Sequence, residues 1–557
     1  MGELRTGGQV LVDALKGHGV DMAFAVPGES YLAVLDALHD ASNRIRLITC
    51  RQEGGAAYMA EAYGKLTGRP GICMVTRGPG ATNASVGLHT AFQDSTPMIL
   101  FIGQVARDQE EREAFQEVDF RRMLGPLTKW TAQIEDARRI PEIVSQAFHR
   151  AVNGRPGPVA IALPEDMLTD MVDVPDAGHY VVARGNPGAA QMSALRERLA
   201  KAKRPFAILG GGGWDAQAVA DFAAFAETMH IPVGTAFRCQ DLIDNDHPCH
   251  AGDVGIGINP KLAERVKNAD LLLVVGARLG EMTTGGYTLV DVPVPKQALI
   301  HVHPSPEELG RVYQTALPIN AGMAEFAAMA KALAPVDHSA WDAETDAAHA
   351  DYLAWRKHGP NAGEVQMGEI VAWLRDRLPE DAILTNGAGN YSSWLHRFYR
   401  FRRYRSYLGP TNGSMGYGVP SAVAAKLVHP ERIVVSFNGD GCFLMNGQEL
   451  ATAVQHHANV VFLVINNGMY GTIRMHQERE YPARVSGTEL KNPDFAALAR
   501  AYGAHGETVA RTAEFAPAFE RCLKAGKPAL IEVKLDPEAI TPRTTLSAIR
   551  DAALKKK

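Results

Sequence analysis

The sequence predicts an α/β protein of three consecutive doubly wound parallel-sheet domains. Three observations lead there: short apolar runs recur along the chain, alanine-rich segments of helical spacing separate them, and the alternation is interrupted twice. An apolar run of about four to eight residues is too short for a core helix and fits a strand buried on both faces. The length agrees, since 557 residues make about three to four domains at roughly 150 residues each.

The first unit, residues 1–180, opens with a helix whose apolar positions are Val10, Leu11, Leu15 and Val20. Strands are predicted at MAFAVPG (22–28), GICMVT (71–76), MILFIG (98–103) and PVAIAL (158–163), with GGAAYMAEAYGKLTG (54–68) as an intervening helix. The acidic, Pro/Gly-containing stretch EDMLTDMVDVPDAGHYVVARGNPGAA (165–190) breaks the pattern and reads as a linker. The second unit, 190–335, has strands at FAILGGGG (206–213), DLLLVVGARLG (270–280) and ALIHVHP (298–304). Residues 334–363 lack strand character and predict a helical connection. The third unit, 360–540, has strands at AILTNG (382–387), IVVSFNGDG (433–441), VVFLVINNG (460–468) and PALIEVKLD (528–536).

Composition narrows the function. With 57 Lys+Arg against 62 Asp+Glu and a net charge of −5, there is no basic footprint for nucleic acid. No apolar run approaches the roughly 18–20 residues that span a bilayer, and the first residues lack the basic and apolar regions of a secretory signal. The six cysteines are scattered without close pairs, which fits a reducing compartment. A cytoplasmic protein with a small-molecule partner is expected.

The stretch NGDGCFLMNGQELATAVQHHANVVFLVINNG (438–468) carries the chemistry. Asp440 ends one apolar run and Asn467 ends the next. In a parallel sheet the carboxyl ends of neighbouring strands share one edge, where ligands bind. The 24 residues between Gly441 and Asn466 are what a crossover helix and two loops require. Asp and Asn oxygens are hard ligands suited to Mg²⁺ or Ca²⁺. One carboxylate and one amide make a weak cage, so phosphate oxygens of a ligand are expected to complete it. Gly439 and Gly441 let backbone N–H groups approach that ligand. A role for Asp440 as a mere helix cap leaves Asn466 and Asn467 unexplained.

With GDG, this interval and NN in place, the chain resembles the thiamine diphosphate-dependent enzymes, and within their pyruvate-oxidase-like branch the acetolactate synthase catalytic subunits. The likeness extends over RQEGGAAYMAEAYGKLTG (51–68), RGPGATN (77–83), GQV (103–105), AFQE (114–117), GRPGPVAIALPEDM (154–167) and GSMGYGVPSAVAAKL (413–427). It implies pyrimidine-binding, central and diphosphate-binding domains in that order. It implies Mg²⁺ on Asp440, Asn467 and the backbone carbonyl of Met469, with Gly439 and Gly441 beside the diphosphate. Glu53 takes the position that hydrogen-bonds N1′ of the pyrimidine, with Gly54 and Gly55 admitting the ring. Met415 takes the position that bends the cofactor, and the Gly413 carbonyl accepts from its 4′-amino group. Because such enzymes place Glu53 and the Asp440 cluster on different subunits around one cofactor, a homodimer is the minimum and a homotetramer the expected assembly.

The departures matter for the substrate. His476 stands where acetolactate synthases usually carry Trp, and Glu29 in PGES stands where simple 2-oxo acid decarboxylases carry an aspartate beside the reactive carbon. Gln116, with Phe115, Gln104 and Lys129, matches positions near the substrate channel. His456 and His457 are expected at the surface. FAD is left open: GGGG (210–213) and Arg278 favour it, whereas GARLGEM lacks the usual acidic pair, and His303 and Ser305 replace common aspartates. The reading is decarboxylation and carboligation of 2-oxo acids by Glu53, Glu29, Gln116 and His476. The alternatives are a non-ligating decarboxylase or C–C lyase, acting on a 2-oxo acid or an acyl-CoA, and a non-catalytic nucleotide-binding homologue.

Overall fold

The computed structural model describes residues 4–556; residues 1–3, the start of the predicted 1–180 unit, and residue 557 lie outside it. Each predicted unit supplies one sheet of six parallel strands. In the first, the strands start in spatial order at Arg46, Met22, Gly71, Met98, Pro158 and Trp130, which by chain order is 2-1-3-4-6-5. The third sheet repeats this order, from Tyr407 through Ile383, Val434, Val461 and Ala529 to His505. The central sheet runs His250, Val233, Pro205, Leu271, Ala298, Leu317, the 3-2-1-4-5-6 order of dinucleotide-binding folds.

The strands predicted from apolar runs lie in the sheet interiors, where Phe24, Leu100, Phe437 and Phe462 are buried. Burying such a side chain contributes roughly 1.5–3 kcal/mol. Seven strands without such runs complete the sheets: Arg46–Thr49, Trp130–Gln133, Val233–Ala236, His250–Val254, Leu317–Asn320, Tyr407–Leu408 and His505–Val509. The predicted linker is not wholly free of sheet structure, because Met171–Val172 pairs antiparallel with Arg5–Thr6. Among the described residues no helix is long and apolar enough to cross a membrane.

The first and third domains share one core. Helix Glu53–Thr67 packs against helix Gly418–Val428, and the alanines of both let their backbones approach closely. Glu61 is buried in this contact and accepts hydrogen bonds from the Tyr417 hydroxyl at 2.6 Å and the Thr96 hydroxyl at 2.8 Å. Lys65, 3.2 Å from Glu61, also pairs with Asp94. A buried charge is tolerated when it is paired and hydrogen-bonded in this way.

The predicted crossover helix is two helices, Asp440–Asn446 and Glu449–Gln455. The first starts on the aspartate itself, and Gly447, a weak helix former, lies at the break against the Phe443 ring.

Candidate active site

Strand Val434–Gly439 delivers Asp440 to the carboxyl edge of the third sheet, and its neighbour Val461–Asn466 delivers Asn467. Asp440 is buried; its Oδ1 accepts from the Gly441 N–H at 2.9 Å, and its Oδ2 from the Gly468 N–H at 2.9 Å and Asn492 Nδ2 at 2.7 Å. Burial pushes its carboxyl above the usual range, and these donors pull it back. Asn492 also donates to Asn466 Oδ1 at 2.9 Å, so one amide braces both ends of the motif. The Met469 carbonyl lies in the same turn and accepts from the Gly471 N–H at 2.9 Å. Gly439 and Gly441 are required by packing, since a Cβ there would come within 2.9 Å of the Tyr391 ring and 2.5 Å of the Tyr470 ring.

The loop that holds Gly413 and Met415 is tied to the same helix. Gly416 donates to Cys442 Sγ at 3.2 Å, and its carbonyl accepts from Asn446 Nδ2 at 3.0 Å. Gly413 itself is exposed with φ +69°, and Met415 is half-buried.

On the first sheet, Glu53 is the first residue of helix Glu53–Thr67, behind the N-cap Gln52. Asn83 Nδ2 donates to its Oε2 at 2.9 Å, which leaves Oε1 facing the small side of Gly80. Gly54 and Gly55, expected to admit a ring, are closely packed within the chain itself. A Cβ on Gly55 would strike Glu449 at 2.6 Å, and one on Gly54 would lie 3.2 Å from the Asn83 carbonyl. Glu449 of the third domain is fully buried and accepts from the backbone N–H groups of Arg51 at 3.1 Å and Gln52 at 2.9 Å, just ahead of Glu53. Burial raises its carboxyl above the usual range, against the Thr452 hydroxyl and those N–H donors.

Glu29 and Arg77 follow strands Met22–Ala25 and Gly71–Val75, the adjacent pair at which this sheet's strand order reverses. Arg77 is buried, 3.8 Å from Glu29 and 3.2 Å from Glu165, and donates to the Phe115 carbonyl at 3.3 Å. Gln116 has φ +66° and its carbonyl accepts from the Gly78 N–H at 3.0 Å, so it reaches the same edge. Phe115 beside it is 71% exposed.

Two residues expected near the substrate channel have their polar groups engaged within the first domain. Gln104 is buried, donating to the Val118 carbonyl at 2.9 Å and accepting from the Val105 N–H at 2.9 Å, so it pins the loop. Lys129 precedes strand Trp130–Gln133 and therefore lies at the amino edge, where it donates to the Asn153 carbonyl at 2.7 Å. Burial, with Arg155 and Arg150, pushes its ammonium down to about 8.

His476 is exposed on helix Gly471–Glu480 and lines a cavity of about 1930 Å³ between the domains, together with Arg278, Asp253 and Gly413. The glycines and the arginine that favour a flavin are engaged in packing and in contacts between domains. A Cβ on Gly211 would lie 2.0 Å from the Gly276 carbonyl, and one on Gly212 2.4 Å from that of Ser95. Arg278 donates to the Gln93 carbonyl at 2.6 Å. His303 is buried, and its Nδ1 accepts from the Ser305 N–H at 3.1 Å. His457 is exposed as expected, whereas His456 is half-buried.

Family models match all three domains: the N-terminal thiamine pyrophosphate-binding domain over residues 5–123, the central domain over 192–330 and the C-terminal thiamine pyrophosphate-binding domain over 387–533. This chain belongs to the thiamine pyrophosphate enzymes. Among curated members it is 33% identical over 540 residues to the acetolactate synthase large subunit of Corynebacterium glutamicum, covering 93% of this chain and 85% of that one. It is 31% identical to the acetolactate synthase isozyme 2 large subunit of Escherichia coli, over 95% of each chain. The mitochondrial acetolactate synthase catalytic subunit of Saccharomyces cerevisiae is 29% identical, over 95% of this chain and 81% of that one.

For a thiamine pyrophosphate enzyme, the residues missed by sequence reasoning are the braces: Asn83 on Glu53, Asn492 on Asp440, and Glu449 between the domains. Asn83 closes the stretch RGPGATN (77–83) and Glu449 lies in GQEL (447–450), but the partner of each is distant in sequence.

Proposed function

We propose that this chain is a thiamine diphosphate- and Mg²⁺-dependent enzyme that decarboxylates a 2-oxo acid and ligates the remainder to a second carbonyl compound, as the names of its acetolactate synthase relatives describe. The observation that carries this is the donor set at the third sheet's edge. Asp440, the Asn467 amide and the Met469 carbonyl are all oxygen donors with a single formal charge. Such a set fits Mg²⁺ that takes its remaining ligands from phosphate oxygens.

Bound thiamine diphosphate would supply the nucleophilic carbon and the electron sink that decarboxylation needs. Glu53 Oε1 would be the atom that shares a proton with the pyrimidine N1′, while Asn83 fixes the other carboxyl oxygen. Met415 supplies an apolar support, held in place through Gly416 by the Asp440 helix. Gln116 and Glu29 border the first sheet's edge, and His476 borders the interdomain cavity where the acceptor would sit. Decarboxylation and carboligation are redox-neutral, so neither step draws electrons from a flavin, although Gly211, Gly212 and Arg278 line the interdomain cavity. A homodimer brings the two edges together and covers Phe115; a homotetramer would pair two such dimers.

The second reading, a non-ligating decarboxylase, rests on Glu29. The carboxyl group of Glu29 lies at the strand-order reversal, 3.8 Å from Arg77, and in its protonated form could deliver a proton to the carbon that a ligase would instead bond to the second carbonyl compound. Incubation with pyruvate, Mg²⁺ and thiamine diphosphate separates the readings. Acetolactate is the expected product, acetaldehyde alone selects the second reading, and no turnover of any 2-oxo acid or acyl-CoA refutes both.

A further inference from the structure

Apart from the residues at both sheet edges, the central domain and the helical connection bring two histidines and two aspartates together. His230 follows helix Ala216–Thr228; His338 lies four residues ahead of helix Asp342–Trp355, Asp342 is its first residue and Asp346 is one turn further on. One ligand atom from each of His230, His338 and Asp342 lies within 4.8 Å of the others. Asp342 Oδ1 is 3.7 Å from His230 Nδ1 and is hydrogen-bonded to His338 Nδ1. The two imidazole rings are 5.5 Å apart, centre to centre.

A second feature marks the cluster as built for a cation. The other ring nitrogen of His230, Nε2, is 3.2 Å from Asp346 Oδ1. Metal-bound histidines characteristically give their remaining N–H to a carboxylate, which fixes the tautomer and turns the free nitrogen toward the metal. Here that nitrogen is Nδ1, the one that faces Asp342. The placement of His230 is itself determined: the Thr345 hydroxyl donates to its carbonyl at 2.7 Å, and Trp341 Nε1 donates to the preceding Met229 carbonyl at 3.2 Å.

We propose that His230 Nδ1, His338 Nδ1 and Asp342 Oδ1 form a binding site for a zinc-class divalent cation, with Asp346 as the outer carboxylate. Two imidazoles and one carboxylate suit Zn²⁺, whose bonds to such ligands are about 2.0–2.2 Å and whose tetrahedral ligands therefore stand roughly 3.3–3.6 Å apart. Small side-chain rotations bring the three atoms to that spacing. With both histidines neutral, the two aspartates carry two negative charges, which one divalent ion balances. The side chains of His230 and His338 are 29% and 35% exposed, so water can take the fourth position. This set differs in kind from the all-oxygen donors at Asp440, and Mg²⁺ is a poor match for it. The ion would fasten the helical connection to the central domain, reinforcing the His230–Asp346 contact, which spans 116 positions in the chain.

The experiment uses tag-free full-length protein with Mg²⁺ and thiamine diphosphate present, stripped of transition metals and titrated with Zn²⁺ by calorimetry. Co²⁺ replaces it in a parallel absorption measurement. One equivalent of Zn²⁺ per chain is expected, with a tetrahedral Co²⁺ spectrum and a higher melting temperature on loading. His338→Ala changes a half-exposed side chain, and His230→Asn keeps a residue that tolerates the observed φ of 49°. Either should abolish the stoichiometric uptake. Asp346→Asn should retain it with about 10–100-fold weaker affinity. Absence of saturable uptake by the wild type overturns the proposal, as does uptake that both histidine variants leave unchanged.

Discussion

The first and third sheets have the same strand order and opposite chemistry at their carboxyl edges. The third edge gathers oxygen donors, with Asp440 buried and held by three hydrogen bonds from its own domain. The first edge gathers carboxyl groups, to which we assign proton transfer: Glu53 braced by Asn83, and the more exposed Glu29 leaning on Arg77. Topology thus fixes where a ligand can sit, and the residue after each strand decides what happens there. An edge that binds an ion must be rigid and pre-formed, whereas an edge that moves protons must leave one oxygen free.

The widest test of that division is Glu53→Gln. If the first edge serves proton transfer and not binding, cofactor affinity should stay within a few-fold. Hydrogen–deuterium exchange at C2 of bound thiamine diphosphate should slow by about 10²–10⁴-fold. An unchanged exchange rate would remove Glu53 from that role. Asp440→Ala should show the reverse pattern: binding of thiamine diphosphate with Mg²⁺ weakened on the order of 100-fold, equivalent to about 2.8 kcal/mol, with an unaltered circular dichroism spectrum. Equal affinity in calorimetric titration would break the comparison on the third edge.

Smaller effects sharpen it. His476→Trp should shift the choice between pyruvate and 2-oxobutyrate as acceptor by about 1–3 kcal/mol, read as a product ratio in direct competition, and leave cofactor binding alone. A constant ratio in a folded, active variant would place the acceptor elsewhere. The smallest change in stability belongs to Glu29→Gln. An exposed partner 3.8 Å from Arg77 contributes under about 1 kcal/mol, so urea midpoints should barely move. The aldehyde fraction among the products should nevertheless fall if Glu29 delivers a proton to the reacting carbon, and an unaltered fraction would assign Glu29 a purely structural pairing with Arg77.

What could be read from the sequence follows from burial. Interior strands such as Leu271–Val275 are apolar on both faces and stand out as runs. All six edge strands of the three large sheets escaped, because segments such as Arg46–Thr49 and Trp130–Gln133 are half-covered and Tyr407–Leu408 is two residues long. Val233–Ala236 is interior but carries Gly234 and Thr235, which hide it. In the site, Asp440 and Asn467 were legible because two consecutive strands fix their spacing. Glu449 was not, since its partners Arg51 and Gln52 are 398 and 397 residues away and are backbone groups without a side-chain signature. Gln104 and Lys129 misled for a related reason: position along a motif does not tell which way a side chain turns, and a strand's direction decides which edge its first residue meets.

Glu449 also gives the molecule a mechanical property. The stretch 440–449 starts at Asp440, the proposed metal ligand, and ends with a carboxylate gripping the two N–H groups that precede Glu53. It acts as a strut between two load points, and in a dimer those points would belong to different cofactors. In such a dimer, a displacement imposed where one cofactor is seated would be passed along the strut toward the acid serving the other. Cutting the grip orphans two amide protons at a cost of about 1–3 kcal/mol, and it would also leave each half of the assembly deaf to its twin.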